Sequence, residues 1–190
     1  MPEAIDLLTS RRSVKPIELN GPGPTADELA TLLTVASRVP DHGKLTPWRF
    51  IVFEGDARLK AGETIAAVFR DKRPDATPDQ VEHERRRLAR APLVIAVVSR
   101  AGPHVKIPEW EQVLSAGAAA TSLVFAAHAL GFAASWLTEW YSYDRRVLDA
   151  FGVAPNEKIA GFVHIGRPVK PIEDRARPPL DQIVTRFGAN

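Results

Sequence analysis

The hydrophobic positions of this chain change period from segment to segment, and each change predicts an element. Thr25 and Glu28 are spaced as a capping box, and Leu29, Leu32, Leu33 and Ala36 then repeat at helical spacing. They predict an amphipathic helix with that face inward. A polar, helix-breaking loop follows, and Phe50-Ile51-Val52-Phe53 is then an unbroken aromatic and β-branched run of the kind a buried strand shows. Residues 93–98 are apolar without interruption and predict a central strand. Shorter apolar runs at 133–137 and 159–165 predict two more strands. Helices are expected over 3–9, with Ile5 and Leu8 inward, and from Gly55-Asp56 to about Arg70. Thr77, Pro78 and Gln80 open another, which Pro92 should end. The longest runs from Glu109 to Leu130, closed by Gly131, and a last one covers 143–151 before Gly152. Asn20-Gly-Pro-Gly-Pro24 reads as a stiff linker, and the proline-rich chain from Pro168 as an extended tail. The pattern is that of a mixed α and β chain without repeats.

Composition narrows the functional classes. With 190 residues, 45% hydrophobic and 25% charged, a single soluble globular domain over 1–190 is expected. The net charge of +2 and pI near 9.1 are mildly basic: too weak to argue for nucleic acid, and suited to an anionic small ligand. There is no cysteine, which excludes disulfides and thiolate chemistry. The first ten residues carry Glu3 and Asp6 and do not read as a signal peptide, and no run approaches the roughly 18 apolar residues of a membrane helix. The cytoplasm is therefore the expected location, with no membrane partner. His83, His104, His128 and His164 lack metal-ligand spacing, so no metal is expected.

Candidate chemistry falls in four places. Arg11-Arg12-Ser13-Val14-Lys15 sets three cations beside a hydroxyl just after a helix. A phosphate is bound by such a set, through guanidinium forks and a hydroxyl donor. In extended chain Arg11, Ser13 and Lys15 would act together with Arg12 turned elsewhere; the plain alternative is a solvated basic helix end. The loop from Val39 holds Asp41, His42, Lys44 and Thr46, polar groups with no obvious packing role. Gly131 to Thr138 runs a helix end into a strand, with Trp136 as either ligand surface or core. Arg175 and Arg177 lie in the tail. Glu111 is expected as a buried, paired structural carboxylate, and Arg85, Arg86, Arg87 and Arg90 as a solvated helix face.

Taken in order, these segments resemble the FMN-dependent nitroreductase family, in its small single-domain branch. The residues that carry the resemblance are Arg11-Arg12-Ser13-Val14-Lys15, Val39-Pro40-Asp41-His42, Pro47-Trp48-Arg49-Phe50, Trp110-Glu111-Gln112 with Ser115-Ala116-Gly117, and Gly131-Phe132 with Trp136. It implies an α+β fold, an α/β/α sandwich around a mixed, mainly antiparallel sheet, in a homodimer with FMN at the subunit interface. By carry-over, Arg11, Ser13 and the backbone at Arg12 hold the phosphate and Lys15 lies at the pyrimidine edge of the flavin. Arg38 and His42 reach the partner's FMN. Trp136, Leu137 and Thr138 line the ring, and Arg175 and Arg177 match the family tail more loosely. Thr46 stands where the family usually has Gln, and Leu137 where a polar or basic residue can occur. The implied activity is hydride transfer from NADH or NADPH to FMN and on to a small-molecule electron acceptor, a nitroaromatic, quinone or similar compound, by a ping-pong mechanism with no catalytic side chain. A flavoenzyme dehydrogenase for a dedicated metabolite and a non-redox basic binding module remain as alternatives.

Overall fold

Every residue of β3 (Leu93–Ser99) is buried, and the period of two sends alternate side chains to opposite faces of the sheet. Leu93, Ile95 and Val97 enter one core cluster, while Val94, Ala96 and Val98 enter another. That division makes three layers. The computed structural model of the protein describes residues 3–188. In it β3 lies between β2 (Trp48–Glu54) and β5 (Lys158–Pro168), antiparallel to both. The outer edge of β5 pairs first with β4 (Ala133–Leu137) and then with the short β1 (Leu19–Asn20), both antiparallel. All four strand pairings are therefore antiparallel, and the sheet is antiparallel rather than mixed; the one parallel contact is an isolated bridge from Ser13 to Ala134, outside the named strands.

Helices α2 (Ala26–Ala36) and α5 (Glu109–Ala129) cover one face; α3 (Asp56–Lys72) and α6 (Arg145–Ala150) cover the other. Both expected capping boxes form: Thr25 Oγ1 accepts from the Glu28 amide and Glu28 returns an acceptor to the Thr25 amide at 2.7 Å. Thr77 and Gln80 do the same at the start of α4 (Pro78–Arg85). From α2, Leu32 and Ala36 are fully buried. A buried leucine of this kind stabilises by roughly 1.5–3 kcal/mol.

Several boundaries differ from the sequence pattern, each for a local reason. The helix expected to run to Pro92 ends at Arg85, because Leu88 turns fully into the core through a 3-10 turn, Leu88–Arg90. The helix expected from Tyr143 starts later: Asp144 takes the N-cap, accepting from the Arg146 and Val147 amides, and a 3-10 turn Trp140–Ser142 precedes it. Strand β2 is only partly buried between Trp48 and Phe53, since it forms the sheet edge. Helix α1 (Ala4–Ser10) has no buried residue, and Ile5 and Leu8 are exposed rather than inward. Helix α5, with 21 residues, is long and apolar enough to cross a bilayer by length and composition, contrary to expectation. Its inward residues Ala116, Ala119, Ala120, Leu123 and Ala127 are fully buried against the sheet, which accounts for that composition.

Candidate functional site

The chain leaves α1 at Arg11 and runs beside β4, with the Val14 amide donating to the Ala134 carbonyl at 3.2 Å. Val14 is buried, so Ser13 and Lys15 point outward. His128 Nε2 lies 2.9 Å from the Arg12 carbonyl and ties the segment to α5. A cleft of about 260 Å³ opens here, lined among others by Arg12, Ser13, Lys15, Glu18 and Lys170. Arg12 thus shares a cleft with Ser13 and Lys15, where strict alternation had turned it away. Arg11 keeps the helix side, its guanidinium 6.0 Å from the centroid of the Phe125 ring.

The tail closes over this segment. Arg12 Nε donates to the Glu173 carbonyl at 3.4 Å and sits 3.7 Å from Asp174, which also pairs with Arg177. Burial, and then the charges of Arg177, Arg12 and Arg175, hold Arg11 below the usual arginine range. Four guanidiniums therefore share one neighbourhood. Among the described residues neither the Arg11 nor the Arg175 guanidinium has a carboxylate partner. An under-neutralised arginine cluster with a serine hydroxyl nearby fits an anion with several acceptor oxygens, such as a phosphate.

The Ser13 bridge sets this cluster beside β4, whose far end is open. The Trp136 indole donates to the Ala160 carbonyl at 3.0 Å and lies across Gly161, where a Cβ would come within 1.8 Å of Nε1. The missing side chain of Gly161 is what lets the indole lie flat. Trp136 is 40% exposed, Leu137 half-buried and Thr138 exposed, so the strand end offers an indole surface and exposed backbone to a planar ligand.

The His42 loop is a separate construction. Asp41 has a packing role after all: its carboxylate accepts from the Leu45 and Thr46 amides at 3.0 and 2.9 Å. Lys44 (φ 57°) and Thr46 (φ 48°) are both left-handed, which is uncommon without glycine. Ser115 Oγ donates to the Pro40 carbonyl at 2.7 Å and accepts from the Trp48 indole at 3.2 Å, and Arg100 donates to the Thr46 carbonyl at 2.9 Å. So fixed, the loop presents His42 outward, with Nδ1 2.7 Å from a carboxylate oxygen of Glu111. Glu111 is paired but exposed, not buried, because the first turn of α5 projects beyond the core. The Thr46 and Arg38 side chains are exposed and make no hydrogen bond among the described residues. No described hydrogen bond or ion pair joins Arg38, His42 or Thr46 to the Arg11 cluster.

Four residues carry roles that the sequence pattern does not announce. Gly161 sits in an apolar strand, where a glycine signals close approach of another group. Arg49 of the Trp-Arg-Phe motif is structural, pairing with Glu157 at 2.6 and 2.8 Å. Arg87 and Arg90 are not solvated: they turn inward to Glu84 and Glu139, while Arg85 and Arg86 pair with surface carboxylates.

Residues 8–167 match the family model described as Nitroreductase family. The Escherichia coli K12 protein named "Putative NAD(P)H nitroreductase YdjA" is 37% identical over 168 residues, 87% of this chain and 88% of its own. A Haemophilus influenzae protein named "Putative NAD(P)H nitroreductase" is 35% identical over 176 residues, 92% of this chain and 94% of its own. Among solved structures, a nitroreductase-like family protein from Bacillus cereus superposes with a TM-score of 0.81 at 22% identity, over 100% of this chain and 98% of that one. A Bacteroides fragilis nitroreductase with bound FMN gives 0.70 at 21% identity, over 98% and 100%. These two establish the likeness of fold.

Proposed function

The chain belongs to the nitroreductase family, and from that premise we propose that it is an FMN-dependent oxidoreductase, driven by NADH or NADPH, that reduces nitroaromatic, quinone or similar acceptors by a ping-pong mechanism. The observation that carries this reading is the arginine cluster of Arg11, Arg12, Arg175 and Arg177, short of carboxylate partners and set beside the start of β4, whose far end is open. FMN has the matching shape: a phosphate at one end and a flat ring at the other. When bound, it would accept a hydride from the nicotinamide and pass reducing equivalents to the second substrate.

The chain's own residues then bind and orient. Arg11, Ser13 and the Arg12 backbone are assigned to the phosphate, with Arg175 and Arg177 closing over it. Lys15 is assigned to the pyrimidine edge, where a cation stabilises negative charge. Trp136, Leu137 and Thr138 are assigned to the ring. Arg38, His42 and Thr46 complete the site from a second copy in a homodimer. Support for that assembly comes from the exposed apolar side chains of Ile5, Leu8, Trp110 and Leu114.

The test is direct. Protein purified as expressed, or reconstituted with FMN, is heated and the released ligand is identified by mass spectrometry. FMN is the expected result, and its absorbance should bleach anaerobically with NADH or NADPH. Release of FAD, or no flavin retained after reconstitution, overturns the proposal.

A further inference from the structure

Behind the open end of β4 lies an ionic network that the proposed function leaves without a role. Glu139 accepts from Arg87 at 2.6 Å, from Arg90 at 2.5 Å and from the Tyr141 hydroxyl at 2.7 Å. Arg87 also donates to both oxygens of Glu84, at 2.5 and 3.1 Å, and Glu84 accepts from the Trp140 indole at 2.7 Å. Two carboxylates meet two guanidiniums, so the charges cancel. The side chains of Arg87, Arg90 and Glu139 are only 16–21% exposed. Apolar packing can match such an arrangement in stability; what a fully satisfied network adds is fixed geometry.

The geometry it fixes is the path of the chain out of the sheet. The last ladder pair of β4 is Leu137 with Phe162. Thr138 lies beyond the ladder, exposed, and the next residue is the clamped Glu139. Its backbone is held too: the Ser142 amide donates to the Glu139 carbonyl at 2.8 Å, and the Glu139 amide to Ser142 Oγ at 3.2 Å. Thr138 is therefore strung between two anchors. We propose that Glu139 is a positioning residue for the cofactor site: held by Arg87, Arg90 and Tyr141, it sets the direction in which the Leu137 and Thr138 backbone faces the flavin. The inference rests on the FMN reading above. In this reading Glu139 acts through the backbone of Leu137 and Thr138.

The test compares wild type with Glu139→Gln, which keeps the shape and removes the charge. Tyr141→Phe is a milder variant that removes one hydrogen bond to the same carboxylate. Glu157→Gln is the control: it breaks the Arg49 pair, which is joined to the Glu139 network by no described hydrogen bond. Three quantities are read: hydrogen exchange of the 133–142 peptide in flavin-free protein, FMN affinity, and the midpoint potential of bound FMN. Glu139→Gln should speed exchange, weaken FMN binding by roughly tenfold, the equivalent of about 1.4 kcal/mol, and move the potential. Tyr141→Phe should act in the same direction to a smaller extent. Glu157→Gln should lower the thermal midpoint while leaving affinity and potential at wild-type values. If Glu139→Gln does not fold, Tyr141→Phe decides alone. Unchanged affinity and potential in the folded network variants overturn the inference and leave the FMN reading standing, and so does an equal shift in Glu157→Gln. A wild type that binds no FMN overturns both.

Discussion

Arg11 shows what a residue's type reveals and what only its neighbours reveal. Its place beside a hydroxyl and two further cations was enough to suggest an anion site, but its isolation from carboxylates and the approach of Arg175 and Arg177 are tertiary facts. Removing it tests the assignment to the phosphate. Arg11→Ala deletes a charge-assisted contact worth about 1.5–3 kcal/mol, so FMN affinity should fall roughly ten- to a hundredfold. Flavin fluorescence titration measures this, and a change of less than about threefold would remove Arg11 from the site. Asp41 is the opposite case. An aspartate in a polar loop looks alike in sequence whether it binds a ligand or caps its own backbone, and here it caps Leu45 and Thr46. Glu111 and His42 lie far apart in the chain, so nothing local announces their pairing.

Elements were most legible where local chemistry decides them. The two capping boxes, the uninterrupted run of β3 and the Gly131 helix end all stand where the pattern placed them, because each depends on residues within a few positions. The end of α4 was not legible, because Leu88, Arg87 and Arg90 are drawn inward by partners from β5 and the Glu139 corner. The same packing buries His164 of β5, with Nε2 3.4 Å from the Arg87 carbonyl and Nδ1 without a described partner. Burial, reinforced by the nearby Arg90 charge, pushes its pKa down from 6.5 to about 4. The unfolded chain therefore binds a proton that the folded chain refuses between those values. Stability is full above about pH 6.5 and declines as pH falls toward 4, by about 3 kcal/mol at most. Burial opposes ionisation of Glu139, but the Tyr141 and Arg90 hydrogen bonds and the Arg90 and Arg87 charges outweigh it and lower its pKa. Its contribution is lost only at lower pH, below about 4.5. Urea unfolding at pH 7, 5.5 and 4.5 should show the first loss, and His164→Leu should flatten it. An identical slope in the variant would assign the acid sensitivity to another group.

At the scale of the whole molecule, a pattern of apolar residues says that a face will be covered and not by what. The helical spacing of Ile5 and Leu8 predicts an inward face, yet both are exposed, as are Trp110 and Leu114 on α5. The homodimer proposed above would cover them, and it would also complete the site: Arg11, Ser13 and Lys15 from one subunit, Arg38, His42 and Thr46 from the other. That division predicts complementation. Arg11→Ala should chiefly weaken retention of FMN, and His42→Ala should chiefly alter turnover. When the two variants are mixed and exchange subunits, each heterodimer contains one site with both residues altered and one with both native. Random exchange of equal amounts makes about half the dimers heterodimers, so activity should recover toward roughly a quarter of wild-type sites. Native mass spectrometry verifies the exchange, and turnover per protein chain at limiting FMN measures the recovery. If exchange is complete, each variant is folded and mixing restores nothing, then His42 does not serve the partner's flavin and the two halves of the site must meet in some other way.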